Sequence, residues 1–307
     1  MKKFVLEGIT LLISLALLTV SCHKEKLNNN QNNTYTEVPG GSENPGDEPG
    51  GENPGDEPGD GEGGEGGGGE GGEEQTGDHV ISNGVTDADG NQYNTVVLGN
   101  QEWMAENLRT THYADGTAIP MGTDGQWSDT DPYRYAPAGD ETTVEQWGYL
   151  YNWPAVMHGA GSTTANPSGV QGICPTGWHV PSKAEWEQLF NYVGSQSQYV
   201  CDGNPAHIVK SLCVAKDWES AGSGFECCPG WESWSNNATG FSAYPCGTYN
   251  GNYMDQNMGV HYWSTTMINT NYQLIAAPRF YCFSPQISGL QAGSQVGVAI
   301  SLRCVKD

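Results

Sequence analysis

Residues 79–307 are predicted to form an α+β domain of mostly antiparallel strands, with two helices, long loops and disulfide cross-links. Three observations point to it. Apolar residues alternate with small or polar ones over short stretches, the pattern of half-buried strands. A helical apolar stripe carries a complete start signal. Of the nine cysteines, all but Cys22 lie between Cys174 and Cys304. The first 78 residues carry none of these signals.

Residues 1–21 read as a secretory signal peptide. Lys2 and Lys3 precede an apolar run from Ile9 to Val20, and Ser21 closes it. A run of about twelve residues is too short for a membrane span, which needs roughly 20, and Glu7 and Gly8 block its extension. Cys22 directly after a small residue resembles the lipid-attachment cysteine of bacterial lipoproteins. Thr19 departs from the leucine usual three residues earlier, with Leu18 one step away. The alternative is an ordinary secreted protein in which Cys22 merely ends the apolar run. Diacyl and N-acyl chains on Cys22 would anchor the chain stably in a membrane. By the same resemblance His23, rather than Asp, implies the outer membrane, with display at the cell surface expected.

Residues 22–78 read as a disordered acidic tether. Asn28 to Asn33 form an amide-rich piece, and Glu-Asn-Pro-Gly-Asp-Glu-Pro-Gly occurs at 43–50 and again at 52–59. So few apolar residues cannot offset the entropy of ordering the chain. Residues 27–78 hold 14 acidic and no basic residues, 1–26 hold two acidic and four basic, and 79–307 hold 20 and 8, giving −14, +2 and −12, which sum to −24. A domain that acidic lacks the basic footprint of nucleic-acid binding.

Within the domain, Val85 to Leu98 reads as a hairpin whose turn, Asp89-Gly90, supplies positive φ angles. Asp87-Ala88-Asp89-Gly90-Asn91 also spells part of a calcium loop, but the distal Glu is missing. No complete calcium motif supports a structural calcium, and no cofactor is expected. Trp103 to Leu108 is expected to be a strand, and Asp115-Gly116 a turn. Ser182-Lys183-Ala184-Glu185 is a capping box, in which Ser and Glu reciprocally satisfy first-turn amides. Trp186, Leu189, Phe190 and Val193 then form one apolar stripe that Gly194 is expected to end. A second helix is expected from Pro205 to about Ala215, capped by Asn204, with Ile208, Val209 and Leu212 inward. In the last expected strand, Val296, Val298, Ile300, Leu302 and Cys304 form a buried face. Gly297, Ala299, Ser301 and Arg303 form a smaller or polar one. The eight domain cysteines allow as many as four disulfides in an oxidising compartment. They contain no CxxC pair, so their spacing is not zinc-like and no metal site is expected.

Seven phrases taken in order resemble a known family. They are Asp89-Gly90-Asn91-x-Tyr93, Gln101-x-Trp103-Met104-Ala105-Glu106-Asn107-Leu108, Gly148-Tyr149-Leu150-Tyr151-Asn152-Trp153, Ile173-Cys174-Pro175-x-Gly177-Trp178-His179-Val180-Pro181-Ser182, Gly240-Phe241-Ser242-Ala243, Trp263-Ser264-Thr265-Thr266 and Arg303-Cys304-Val305-Lys306-Asp307. From about residue 84 onward the chain is similar to the Fibrobacter succinogenes major paralogous domain of bacterial surface lipoproteins. The resemblance implies a C-type-lectin-like fold, distantly akin to formylglycine-generating enzymes. It also implies a disulfide from Cys174, before the capped helix, to Cys304 in the last strand. Cys201, Cys213, Cys227, Cys228, Cys246 and Cys282 lie outside the family's phrases and read as additions of this chain. Cys246 with Cys282 is a second candidate pair.

No nucleophile elbow, HExxH, phosphate loop or dinucleotide fingerprint occurs, and His179 reads as structural. The copper-binding cysteine pair of formylglycine-generating enzymes is not matched, because Cys282 and Cys304 stand 22 positions apart. No catalysis is therefore expected. Trp231, Trp234, Asn236, Asn237, Tyr249 and Tyr253 crowd a Gly-rich region, and aromatic faces beside amides suit sugar rings. The competing reading is that such tryptophans fill a loop-rich core. Calcium-dependent sugar binding of the C-type lectin kind is not implied, since neither Glu-Pro-Asn nor Trp-Asn-Asp occurs. The expected function is recognition or adhesion, with a polysaccharide or a surface protein as partner. A purely structural surface component is the alternative.

Overall fold

The computed structural model describes residues 78–307. The expected signal peptide, the lipid site Cys22 and the tether apart from Asp78 lie outside the described residues. Asp78 itself belongs to the domain. One carboxylate oxygen accepts from Gly99 N (3.1 Å) and Tyr192 Oη (2.7 Å), and the other from Tyr199 Oη (2.8 Å). The expected boundary after residue 78 therefore falls one residue late.

The main sheet has five antiparallel strands in the spatial order His79–Thr86, Gln92–Leu98, Gln101–Met104, Val305–Lys306 and Trp178–His179. The first two form the expected hairpin, which begins earlier than Val85 and contains an irregularity between Ile81 and Val85. In its turn only Gly90 takes a positive φ, 82°; Asp89 does not. The third strand stops at Met104 rather than Leu108. The remaining ladders are short and antiparallel, such as Gly259–His261 against Arg279–Tyr281.

The capped helix runs Lys183–Ser195 with both capping-box hydrogen bonds in place. Gly194 lies inside it rather than ending it. A Cβ there would stand 2.5 Å from Pro205 O, so only glycine lets the following loop pack against the helix. The second expected helix shrinks to Val209–Leu212. Asn204 Oδ1 does accept a backbone N–H, that of Ala206 (3.0 Å), but the chain there closes on itself, with Cys201 N donating to His207 O (3.0 Å). Two further stretches, Val144–Trp147 and Trp153–Met157, are helical for a single turn.

Tryptophans fill the core. The Trp103 and Trp186 rings lie 4.4 Å apart, and Phe241 and Tyr262 pack on Trp186 at 6.1 and 5.5 Å. Trp186 Nε1 donates to Trp263 O (3.1 Å), and Trp263 Nε1 to Tyr151 O (2.7 Å), so these buried indoles keep their hydrogen bonds.

The C-terminal segment departs most from expectation. Residues 296–304 form isolated bridges, such as Ile300 to Tyr151 and Ala299 to Tyr249, instead of one long strand. Both sides are covered. Arg303, expected on the polar face, is fully buried. Its guanidinium donates to Asn107 Oδ1 (3.0 Å), Met104 O (3.2 Å), Ser242 O (2.6 Å) and Phe241 O, and lies 4.4 Å over the Phe241 ring. That many acceptors, with an aromatic face, replace water around the buried cation.

Candidate functional site

The six residues singled out for ligand binding do not form one platform. Asn236 is buried, and its Nδ2 donates to Val214 O and Pro229 O, both at 3.0 Å. Asn237 exchanges hydrogen bonds with Ser242, accepting from its N (2.8 Å) and donating to its Oγ (2.9 Å). Tyr249 is 1% exposed and stacks on Tyr135 at 4.2 Å. Tyr253 and Trp231 are half-buried, and only Trp234 stands clear, 75% exposed. Crowding in the sequence reflected loop packing, because short side-chain amides there satisfy irregular backbone.

A cleft elsewhere combines exposed aromatic faces with carboxamides and a carboxylate. Trp127 (45% exposed) and Tyr272 (69% exposed) border a cavity of about 320 Å³, with Asp129, Asn271, Gln273 and Gln295 beside them. A second cavity of about 470 Å³, bordered by Trp153, Pro154 and His158, shares Asp129 with the first. Asp129 thus borders both clefts. A Cβ on Gly297 would come within 2.5 Å of the Trp127 indole, so glycine gives that ring its room.

Asn152, from a family phrase, and two buried tyrosines outside the phrases hold the loop beside this cleft. Asn152, fully buried, accepts from Tyr133 N (2.9 Å) and donates to Ser128 O (3.0 Å) and Asp131 O (2.7 Å). Tyr135 Oη donates to Gln126 O (3.1 Å), and Tyr249 Oη to Thr123 O (3.2 Å). Tyr249 thus supports the loop that bears Trp127. Opposite, Tyr272 sits on the turn between the paired strands Met267–Asn269 and Leu274–Ile275, its N donating to Asn269 Oδ1 (3.1 Å). Nothing local in the sequence signals that residues 127 and 272 converge.

The carboxylates of the calcium-like phrase are engaged by donors. Asp87 accepts from Asp89 N (2.9 Å), Asn91 N (3.0 Å), Asn91 Nδ2 (2.9 Å) and Tyr93 Oη (2.5 Å). Asp89 accepts from Thr111 N and faces His112 Nδ1 at 2.6 Å. These bonds make the turn. His179 lies between two carboxylates, with Nε2 2.6 Å from Glu185 Oε1 and Nδ1 2.7 Å from Asp307 Oδ1. Burial opposes charging of the ring, but the hydrogen bonds and charges of Glu185 and Asp307 outweigh it and raise its pKa.

Cys174 is bonded to Cys304. Cys246 is not bonded to Cys282: the Cys246 thiol is buried beside Ser301 Oγ at 2.9 Å, and burial raises its pKa to about 11. A second disulfide joins Cys201 to Cys227, so the described residues contain two disulfides rather than four. Neither cysteine of that pair was assigned a partner by the sequence.

These features define the class: a mostly antiparallel, disulfide-bonded α+β domain in which a few buried polar residues organise long loops. The Fibrobacter succinogenes major domain matches residues 96–306, and the chain belongs to that family. Comparison with curated proteins and with solved structures gave no match.

Proposed function

We propose that this chain is a lipoprotein of the cell envelope whose C-type-lectin-like domain recognises polysaccharide without catalysis. Cys22 would carry the lipid, residues 22–77 would tether the domain at the outer-membrane surface, and the Trp127–Tyr272 cleft would hold the sugar. One observation carries the reading: two exposed aromatic faces border a cleft supplied with Asp129 and three carboxamides. Aromatic faces match the apolar faces of sugar rings, while carboxylate and amide groups match their hydroxyls. The adjoining cleft at Asp129 gives room for more than one ring. The lectin-like assignment is supported by the C-terminal strand pairing with both Trp103 and His179, and by the Cys174–Cys304 bond beside it. Against copper chemistry of the formylglycine-generating kind stands Cys304, whose sulfur is held in that disulfide.

The test is a glycan array probed with the domain, with and without calcium, alongside Trp127→Ala and Tyr272→Ala. Binding should be independent of calcium, and each variant should weaken it by at least about 10-fold, as for aromatic anchors at other interfaces. Blank arrays from a folded domain would reject the reading. They would favour a protein-binding adhesin, for which Phe225 and Phe283, both exposed, offer apolar contact.

A further inference from the structure

A different cluster lies around the second disulfide. Cys201 N donates to His207 O (3.0 Å), Asn204 N to Cys201 O (3.1 Å) and His207 N to Asn204 O (2.8 Å), which folds residues 201–207 into a tight loop. The loop brings His207 Nδ1 to 3.0 Å from both carboxylate oxygens of Asp202. Cys227 arrives from a distant segment, and its Sγ lies within 4.8 Å of the Asp202 and His207 ligand atoms. Its disulfide partner, Cys201, is the residue next to Asp202. Two sulfurs, an imidazole and a carboxylate therefore meet at one point of the surface. All four residues are at least partly exposed, and three of them border a cavity of about 410 Å³ through which an ion can enter.

A disulfide sulfur is a poor metal ligand, whereas a thiolate is a strong one. We propose that the Cys201–Cys227 pair is a redox-gated metal site: once reduced, Cys201, Cys227, His207 and Asp202 bind one Zn²⁺. Two thiolates, one imidazole and one carboxylate make a tetrahedral donor set that suits zinc. At Zn–S distances of about 2.3 Å the two sulfurs stand about 3.8 Å apart, a separation that side-chain rotation supplies across Cα atoms 5.6 Å apart. His207 Nε2 lies 3.1 Å from the Asn204 carboxamide and 3.3 Å from that of Gln286, and either, with its oxygen turned inward, accepts the ring proton and orients the imidazole.

The reductant is a dithiol. It becomes its own disulfide and delivers two electrons and two protons, and the Cys201–Cys227 bond becomes two thiols. Binding of Zn²⁺ then forms two Zn–S bonds and releases both protons to solvent. Selectivity follows from burial. The Cys174 and Cys304 sulfurs are enclosed in the core, so the dithiol meets Cys201–Cys227 first. The neighbouring Cys228 is buried, so its sulfur does not offer the same access.

The test titrates Zn²⁺ and Co²⁺ into the mature chain before and after dithiol treatment and anaerobic desalting, with peptide mapping of the opened bond. The reduced chain should bind one equivalent of Zn²⁺ at least about 100-fold more tightly than the oxidised chain. Its Co²⁺ form should show thiolate charge-transfer absorption and tetrahedral bands. His207→Ala should lose at least about 10-fold in affinity. Equal binding in both redox states, a Co²⁺ spectrum without thiolate bands, or undiminished binding by the Cys201→Ser, Cys227→Ser chain would overturn the proposal. Cys201→Ser frees Cys227 without any reductant. It should bind Zn²⁺ at least about 10-fold more tightly than Cys201→Ser combined with His207→Ala, and equality of the two would also overturn it.

Discussion

The two disulfides sit in opposite surroundings. Cys174–Cys304 closes a separation of 130 residues and lies in the core, beside the strand that pairs with His179. Its neighbours are locked: Arg303 by carbonyl acceptors, His179 by two carboxylates. Cys201–Cys227 closes only 26 residues, at the surface, beside the His207 imidazole and the Asp202 carboxylate. The same covalent bond therefore acts as a structural tie in one region and faces available chemistry in the other. Burial makes the difference.

Deleting each bond tests that contrast most severely. In the loop-entropy account, replacing Cys174 and Cys304 by Ala should cost about 5 kcal/mol, against about 3.5 kcal/mol for Cys201 and Cys227. Chemical denaturation should show the larger loss for the core pair, and a larger loss for the surface pair would break the comparison. Next comes Arg303→Met, which takes the guanidinium from three backbone carbonyls and leaves Asn107 Oδ1 with Tyr262 Oη alone of the two donors. It should cost about 3–5 kcal/mol by the same measurement. A loss below about 1 kcal/mol would mean that water replaces the guanidinium and that the region is not closed.

His179 gives a subtler, pH-dependent effect. Its folded pKa is raised above the unfolded value of about 6.5. The stability it contributes is fully present below that unfolded value and is lost as pH rises through the folded one. The urea midpoint of the parent chain should therefore fall on the alkaline side of about 6.5. His179→Gln should show a flatter profile there, and parallel profiles would exclude the clamp. The smallest effect belongs to Trp234→Ala, away from both bonds and largely exposed, which should change stability by no more than about 0.5 kcal/mol.

Local physics made the hairpin and the capped helix legible, since a Gly-containing turn and a capping box act within a few residues. The Cys174–Cys304 bond was legible only through the family's phrases, since eight cysteines permit many pairings. Arg303 was misplaced because alternation reports a period of two but not whether both faces are covered. The second helix was overestimated because Asn204-Pro205 is a start signal for a turn as well as for a helix. The sugar-like cleft and the mixed sulfur cluster escaped notice for a shared reason. Trp127 and Tyr272 lie 145 positions apart and His207 and Cys227 20 apart, both beyond the few residues over which a local signal acts, and only the fold brings each pair together.

The loop bearing Trp127 is gripped almost wholly by its peptide groups. Asn152, Tyr135 and Tyr249 hold the carbonyls of Ser128, Asp131, Gln126 and Thr123, and within the loop only the Gln126 and Ser128 side chains are seen to accept backbone N–H groups. A frame that grasps backbone leaves residues such as Asp124, Trp127 and Asp129 exchangeable without refolding. One scaffold of this kind can present many different fingertips.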